Sequence, residues 1–399
     1  MNWLNGVTVL DLSHVLAGPY CTMLMGDLGA EVIKLERPGS GDDTRAWGPP
    51  FAGGESAYYL SVNRNKRSLA LDLKSEDGKQ IVRALAAKSN VLIENFSPGT
   101  MERLGLGHEA LRAEFPHLIY CSLSGYGQTG PDRALPGFDV VVQARGGLMS
   151  LCGEKNGPPA IVGISVVDIF AGLHALNAIL AALFHQKATG QGARLDMALL
   201  DSLVNILTHQ ATSYLMTGKV PGRLGNAHHN IVPYQTFKTR DGFLNIAAGN
   251  DKLFGSMCKV LKQDALPADA RFATNSKRVE NRAALLAILE PLVAARDTQE
   301  LFKELSTAHV PAGPVQDMAQ VFADPQVQAR EMTCEFSHPT AGTVKVPAFP
   351  GLLDGHKPAV RRPPPLLGEH SVELLKEVLG YSPDQIQALL ELKVVVQKP

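Results

Sequence analysis

Short apolar runs alternate with amphipathic stretches through the first half of the chain. Val7-Thr-Val-Leu-Asp-Leu12 and Glu31-Val-Ile-Lys-Leu-Glu36 are rich in β-branched and apolar residues and predict strands, with a helix between them from about Gly18 to Leu28. Ser68–Leu73 predicts a third strand, Gly78–Lys88 an amphipathic helix, and Asn90–Glu94 and Leu118–Ser122 two more strands. Strands separated by helical segments of this length predict βαβ units, a parallel sheet and an α/β fold. Ile169 to Phe184 is Ala/Leu-rich and nearly uncharged, the pattern of a buried helix. The turn Thr189-Gly-Gln-Gly192 ends that helix, and Ala193–Met197 predicts a further strand.

Between residues 215 and 235, Gly218, Pro221, Gly222, Gly225 and the pair His228-His229 break the periodicity. The expected division is a large domain over residues 1–215, a small domain over 216–325 and a segment 326–399 that returns to the large one. The small domain opens on a hairpin signal at Thr239-Arg-Asp-Gly242 and continues as helices. The last segment carries a strand at Gly342–Pro347, the Pro-rich passage Arg362-Pro-Pro-Pro365 and an amphipathic helix Ser371–Leu379.

Composition narrows the function classes. Among 399 residues, 45% are hydrophobic, enough for a sizeable core, and the formal net charge is -1. No bulk field attracts nucleic acid or an anionic membrane, so neither is an expected partner and any anion site must be local. The five cysteines show no CxxC pair, which fits reduced thiols in a reducing compartment. The apolar stretch 166–184 comes nearest to a membrane span, but Asp168 and His174 interrupt it. The chain opens almost directly into a strand, leaving no room for a leader peptide, and a cytoplasmic location is expected.

Asp168 is the most informative residue. It stands at the mouth of the long apolar helix, where the helix dipole favours negative charge. A carboxylate that stays ionised while partly desolvated is a nucleophile, whereas the plain structural reading is an N-cap. Other segments pair a ligand reading with a bland one in the same way. Val15-Leu-Ala-Gly-Pro-Tyr20 is a small-residue turn that lets a ligand approach a helix N-terminus, or an ordinary βα turn. Arg37 lies at the carboxyl end of the second strand, where an arginine pairs with phosphate or is simply solvated. Arg64, Lys66, Arg67 and Lys74 cluster around the third strand; the cluster is too short for a nucleic-acid tract and fits a phosphate-rich small molecule, or a charged loop. Glu94-Asn-Phe-Ser-Pro-Gly99 followed by Arg103 offers an aromatic ring for a base and a guanidinium for phosphate, or a loop and helix start. The glycine-rich segments Cys121–Pro131 and Gly225–Tyr234 and the loop Ala248-Gly-Asn-Asp251 are candidate closing loops, or plain surface loops. The Val15–Tyr20 turn is not a Gly-x-Gly-x-x-Gly fingerprint, which disfavours a dinucleotide there, and no Walker A motif, Gly-x-Ser-x-Gly elbow or metal-ligand spacing of the histidines is present.

Taken together these segments resemble the family III CoA-transferases over essentially the whole chain. The likeness rests on His14-Val-Leu-Ala-Gly-Pro19, Gly26 to Pro38, Asn63-Arg-Asn-Lys-Arg-Ser68, Glu94-Asn-Phe96, Ser124 to Pro131, and Asp168 in its helix. Within the family it is nearest to the succinyl-CoA:glutarate (dicarboxylate) branch, through Gly41 to Pro50, His228 to Tyr234 and Arg362 to Gly368. The resemblance implies that Asp168 is the catalytic carboxylate. It also implies that CoA lies along Leu16, Ala17, Arg37, Leu71, Asp72, Leu73, Lys74, Asn95, Phe96, Ser97, Arg103, Phe138 and Asp139. The implied fold is a Rossmann-like parallel-sheet large domain plus a smaller α+β domain, in an intertwined ring-like homodimer. The implied substrates are an acyl-CoA thioester and a small carboxylic acid, with no prosthetic group and no metal.

Two departures narrow this reading. The oxalate branch has glutamine where Leu16 stands and a glycine-only loop where Gly249-Asn-Asp251 stands, which disfavours oxalate. The racemase branch has a histidine base where Phe138 stands, so a two-base epimerisation lacks one base. The alternatives are a CoA-ester racemase with Asp168 as one base, and a CoA-binding module without catalysis. Arg45, Arg223 and His228 are the unranked candidates for the distal carboxylate of an acceptor.

Overall fold

In the computed structural model, which describes residues 2–397, the first compact unit is built on a seven-stranded sheet. Strands β1 (Thr8–Asp11), β2 (Glu31–Glu36), β3 (Lys66–Leu71), β4 (Val91–Glu94), β5 (Ile119–Ser124) and β6 (Arg194–Ala198) are parallel and lie in the order β3-β2-β1-β4-β5-β6. Val395–Val396 joins the β3 edge antiparallel. The winding direction reverses between β1 and β4. Loops leaving those two neighbours therefore diverge, and open α/β sheets bind ligands in the crevice this leaves at the carboxyl ends of the strands.

Successive side chains on a strand point to opposite faces, and both faces here are covered. Val9, Val32, Ile93, Ile119 and Cys121 pack into one core with helices α1 (Ala17–Asp27) and Leu199–Ile206. Leu10, Ile33, Leu69, Leu92 and Tyr120 pack into the other with α2 (Glu76–Ala87) and the C-terminal helices Ser371–Glu377 and Pro383–Glu391. The near-continuous apolar runs of β1, β4 and β5 follow from this two-sided burial. Helix α2 begins where Ser75 accepts from the Gly78 amide at 3.0 Å, with Glu76 and Asp77 in the first turn.

The third strand starts at Lys66 rather than Ser68, and its basic residues are not a phosphate site. Lys66 is fully buried and donates to Asp11, to the Pro19 carbonyl and to Asn63 at 3.2, 2.9 and 3.0 Å. Arg64 binds Asp27 through two bonds of 2.9 and 2.6 Å, and Arg67 pairs with Glu31 and Glu373. Of the cluster expected to suit a phosphate-rich small molecule, Arg64, Lys66 and Arg67 form an internal ion network instead, and Lys74 is not part of it. Breaking one such buried pair costs about 3–5 kcal/mol.

Residues up to Leu148, Val162–Gly218 and from Gln328 onward form this unit; Met149–Ile161 and Lys219–Val327 form a second. A stretch that the sequence pattern leaves in the first domain, Met149–Ile161, thus packs with the second. That unit holds an antiparallel three-stranded sheet, Ala312–Pro314, Phe243–Ala247 and Tyr234–Lys238, with helices including Asp251–Val260, Arg282–Ala294 and Thr298–Thr307. Its core contains Phe237, Leu244, Phe254, Phe272 and Leu289. Buried Arg278 donates to the carbonyls of Val232 and Phe272 and stands 4.5 Å over the Phe254 ring.

Candidate active site

A cavity of about 700 Å³ opens at the reversal between β1 and β4. The loop after β1 supplies His14, Val15, Leu16 and Ala17; the loop after β4 supplies Asn95, Phe96, Ser97 and Pro98. Asp42, Trp47, Phe138 and Asp168 complete its working walls. The turn after β1 is strained, because Val15, a β-branched residue, sits at φ +70°. Hydrogen bonds hold it there. Asn95 binds both the amide and the carbonyl of His14 at 2.8 Å, Asp42 accepts from the Val15 amide at 3.3 Å, and Lys34 donates to the Ser13 carbonyl at 2.8 Å. Asp42 is itself clamped by Lys34 at 2.9 Å and by Thr44, and although burial alone would raise its pKa, these partners hold it well below the usual carboxylate range.

Helices α3 (Asp139–Arg145) and α4 (Val166–Thr189) deliver the carboxylate. Ser165 occupies the N-cap position of α4, so Asp168 lies in the first turn and is not a cap. By length and composition α4 is apolar enough to cross a membrane, yet Val167, Ala171, Ala175 and Ile179 form a stripe at four-residue spacing buried in the core beside α1. Gly172, one turn beyond Asp168 on the same face, lets the two helices approach. A Cβ there would stand 2.6 Å from the Ala17 carbonyl. Asp168 is thereby set over the start of α1.

Asp139 fixes the beginning of α4. Its Oδ1 accepts from the amides of Val167 and Asp168 at 2.7 and 3.3 Å, and its Oδ2 accepts from Gln143 at 2.6 Å. Gln143 in turn accepts from the Val162 amide at 2.9 Å. Tyr58, edge-on to Trp47, is hydrogen-bonded to Ser165. The start of the helix carrying Asp168 is thus tied by α3 through Asp139 and by Tyr58.

Burial, and then the charge of Asp139, push the Asp168 carboxyl up to about 7. The dipole argument predicts a carboxylate that stays ionised, and burial overrides it. A helix N-terminus stabilises an anion by about 0.3–1 kcal/mol, less than the roughly 1.4 kcal/mol that one pKa unit represents. At neutral pH Asp168 is therefore divided between acid and base forms, and its ionised form is poorly solvated.

Of the residues the resemblance points to, Leu16, Ala17, Arg37, Asn95, Phe96, Ser97, Phe138 and Asp168 line this cavity. Leu71, Asp72, Leu73 and Lys74 line a second cavity of about 520 Å³, and His14, Arg37 and Phe96 are walls of both. Arg103 lines neither: it is exposed and donates to Thr100 at 2.9 Å. Asp139 lines neither, its oxygens being engaged by α4 and Gln143. Arg45, a candidate for the acceptor's distal carboxylate, does not line the cavity. It forms two bonds of 2.7 and 2.8 Å to Glu36, donates to Tyr59 and the Pro365 carbonyl, and covers the Tyr59 ring at 3.7 Å. Arg223 donates to carbonyls of Glu154 and Gly157 within the second unit, and His228 belongs to that unit as well.

His14, Asp42 and Trp47 fall in motifs that carry the resemblance but were given no site role there, and Lys393 was passed over. The first three sit in loops leaving β1 and β2, where the strand-end rule would have found them. Burial and then the Lys34 charge lower the pKa of His14, and its Nδ1 is buried without a hydrogen-bond partner, 3.8 Å from Asp42. Lys393 carried no signal, because it reaches the second cavity from the far end of the chain.

Arg37 pairs with Asp43, both side chains about half exposed at 54%. Such surface pairs contribute only about 0–1 kcal/mol, so Arg37 can exchange Asp43 for a phosphate at little cost. Arg37→Ala is expected to raise KM for an acyl-CoA by roughly ten-fold with a smaller change in kcat, the mark of uniform binding. Arg103→Ala should change KM by less than about two-fold. Steady-state kinetics on both variants checks this, and equal effects would remove the distinction.

Residues 4–371 match the model of the CoA-transferase family III. The chain is 46% identical over 394 residues to the succinyl-CoA:glutarate CoA-transferase of Homo sapiens, covering 99% of this chain and 90% of the relative. It is 42% identical over 381 residues to the succinate–glutarate CoA-transferase of Agrobacterium fabrum, covering 94% and 95% of the two chains. A crystal structure of a CAIB/BAIF family protein from Brucella suis superposes with a TM-score of 0.83 at 43% identity, over 94% of this chain and 99% of that one. With a desolvated carboxylate at the crevice of a parallel sheet and these relatives, the chain belongs to CoA-transferase family III and is a CoA-transferase.

Proposed function

We propose that this protein moves CoA from succinyl-CoA to a glutarate-like dicarboxylate through a covalent intermediate on Asp168. The observation that carries the proposal is the position of Asp168, poorly solvated, on the wall of a cavity that continues past His14, Arg37 and Phe96 into a second, apolar and cationic one. That shape suits an elongated thioester with its acyl end at Asp168 and its nucleotide end in the second cavity.

The ionised Asp168 attacks the thioester carbonyl; the C–S bond breaks, leaving a mixed anhydride and CoA thiolate. The thiolate attacks the Asp168 carbonyl and releases the donor acid, so CoA is held as an aspartyl thioester. The acceptor carboxylate attacks that thioester, and the thiolate it frees attacks the acceptor carbonyl of the new anhydride, releasing product and Asp168. Each anhydride must be kept from water and each oxyanion needs a donor. The apolar walls supplied by Leu16, Trp47, Phe96 and Phe138 serve the first need. Backbone amides at the start of α1, beside Ala17, serve the second.

The acceptor class rests on the names of the relatives and on Leu16, an apolar side chain in the cavity wall that offers no hydrogen bond to a compact dianion such as oxalate. A homodimer accompanies the proposal. Phe184, Leu215 and Met216 are 80, 80 and 79% exposed, apolar side chains of the kind a protomer contact covers. A sedimenting species of twice the chain mass at nanomolar concentration is the expected form, and a monomer would contradict it.

Enzyme mixed with succinyl-CoA and free glutarate is expected to form glutaryl-CoA and succinate in equal amounts, with oxalate a poor acceptor. Hydrolysis of succinyl-CoA without exchange into any carboxylate would overturn the proposal. Solvent exchange of the α-proton of a branched acyl-CoA, without transfer, would establish the racemase reading instead.

A further inference from the structure

We propose that Lys393, delivered by the C-terminal segment, completes the nucleotide end of the acyl-CoA site and selects for the 3′-phosphate. The inference rests on the CoA-transferase reading above and adds to it a residue and a discrimination. The second cavity has apolar walls, Leu35, Leu71, Leu73 and Phe96 among them, and cations at Arg37, Lys74 and Lys393. An apolar slot suits a purine, and cations beside it suit phosphates. Arg37 is shared with the cavity that contains Asp168, so it stands toward the pantetheine side, where the diphosphate lies. Lys74 and Lys393 line the second cavity only. They are the cations left for the phosphate on the ribose.

Backbone pairing holds Lys393 in place. Val394 accepts from the Asp72 amide at 2.8 Å, and Val395 and Val396 pair with Leu71 and Ala70. The segment that carries Lys393 is therefore stitched to the segment that carries Lys74. Lys393 also adopts φ +55°, a conformation in which glycine or asparagine is the favoured residue. A lysine there gives up backbone stability, and it forms part of the second cavity's wall. No ion pair to either Lys74 or Lys393 occurs among the described residues. Two acids also line this cavity: Glu36 is bound by Arg45, and Asp72 accepts from the Lys74 amide at 2.9 Å. Two uncommitted ammonium groups are what a dianionic phosphate monoester recruits.

The test compares Lys393→Gln and Lys393→Arg with the wild-type chain on succinyl-CoA and on succinyl-3′-dephospho-CoA, with glutarate as acceptor. Lys393→Gln keeps a polar side chain, one atom shorter, and removes its charge. It is expected to lower kcat/KM on succinyl-CoA by about 5- to 10-fold, through KM, and to change the dephospho ester by less than two-fold. Lys393→Arg should recover most of the loss. Equal losses on both esters, or no loss on either, would overturn the assignment. The two readings fail separately. A wild-type enzyme that transfers CoA while Lys393→Gln is indifferent to the 3′-phosphate removes only this inference, whereas absence of transfer by the wild type removes the reading beneath it.

Discussion

Asp168→Ala is expected to lower the rate of CoA transfer by about ten-thousand-fold or more, because the other carboxylates in the cavity wall, Asp42 and Asp43, are paired with Lys34 and Arg37. The folded protein should survive and should bind CoA normally. Stability carries a second signature with a definite sign. The folded-state pKa of Asp168 is raised from 3.8 to about 7, so the folded chain holds the proton more tightly than the unfolded chain between those values. Stability contributed at this site is present below about pH 4 and is lost as pH rises through about 7. Asp168→Asn removes that penalty. It should melt higher than wild type at pH 8, by an amount on the order of 2 kcal/mol given the partial solvent access of the carboxyl, and match it near pH 4. An inactive variant that is also destabilised at pH 8 would mean that Asp168 serves the fold and not the chemistry.

Asp139 is expected to give the second-largest effect, and through two separable routes. Asp139→Ala unties the first turn of α4 by leaving the Val167 and Asp168 amides without their acceptor, at a cost of about 1–2 kcal/mol in stability. A displacement of the carboxylate of even an ångström is expected to reduce kcat roughly a hundred-fold. Asp139→Asn retains an acceptor oxygen for those two amides and removes the charge, together with the bond accepted from Gln143. Since kcat/KM requires the ionised nucleophile, its acid limb in the wild type should fall with an apparent pKa near 7. In Asp139→Asn that limb should move downward by roughly half to one unit, because the like charge is gone while burial remains. Tyr58 also feels the Asp139 charge, but it titrates above the usual tyrosine range, so its change in either variant lies outside this limb. Full activity in Asp139→Ala, or an unmoved limb in Asp139→Asn, would exclude the positioning role.

The strands were readable because their burial is two-sided and local. Runs such as Val7–Leu12 and Glu31–Glu36 hold their character whatever the chain does elsewhere. The order of those strands, and with it the crevice between β1 and β4, depends on pairings between distant segments that periodicity does not encode. The basic cluster at Arg64, Lys66 and Arg67 misled for the same reason. Its partners Asp11, Asp27, Glu31 and Glu373 lie far off in sequence, and only the fold brings them within bonding distance. Asp168 was visible as an acid beside an apolar helix, but its protonation was not. The dipole is a property of the helix alone, while the desolvation that overrides it comes from the way α4 packs. Arg45 and Lys393 show the two sides of this limit. One is a loop arginine absorbed by Glu36 and Tyr59, the other a lysine near the C-terminus brought to a cavity by two residues of antiparallel pairing.

The most direct test of the central claim uses the enzyme and succinyl-CoA with no acceptor present. The first half-reaction does not involve the acceptor, so the aspartyl-CoA thioester must form on its own. Hydroxylamine should convert it to a hydroxamate and borohydride should reduce it to an alcohol, each visible as a mass shift on the peptide that contains Asp168. The account predicts both shifts on that peptide in the wild-type protein and neither in Asp168→Ala. Turnover with glutarate in the absence of any adduct, or an adduct on a different residue, would contradict it.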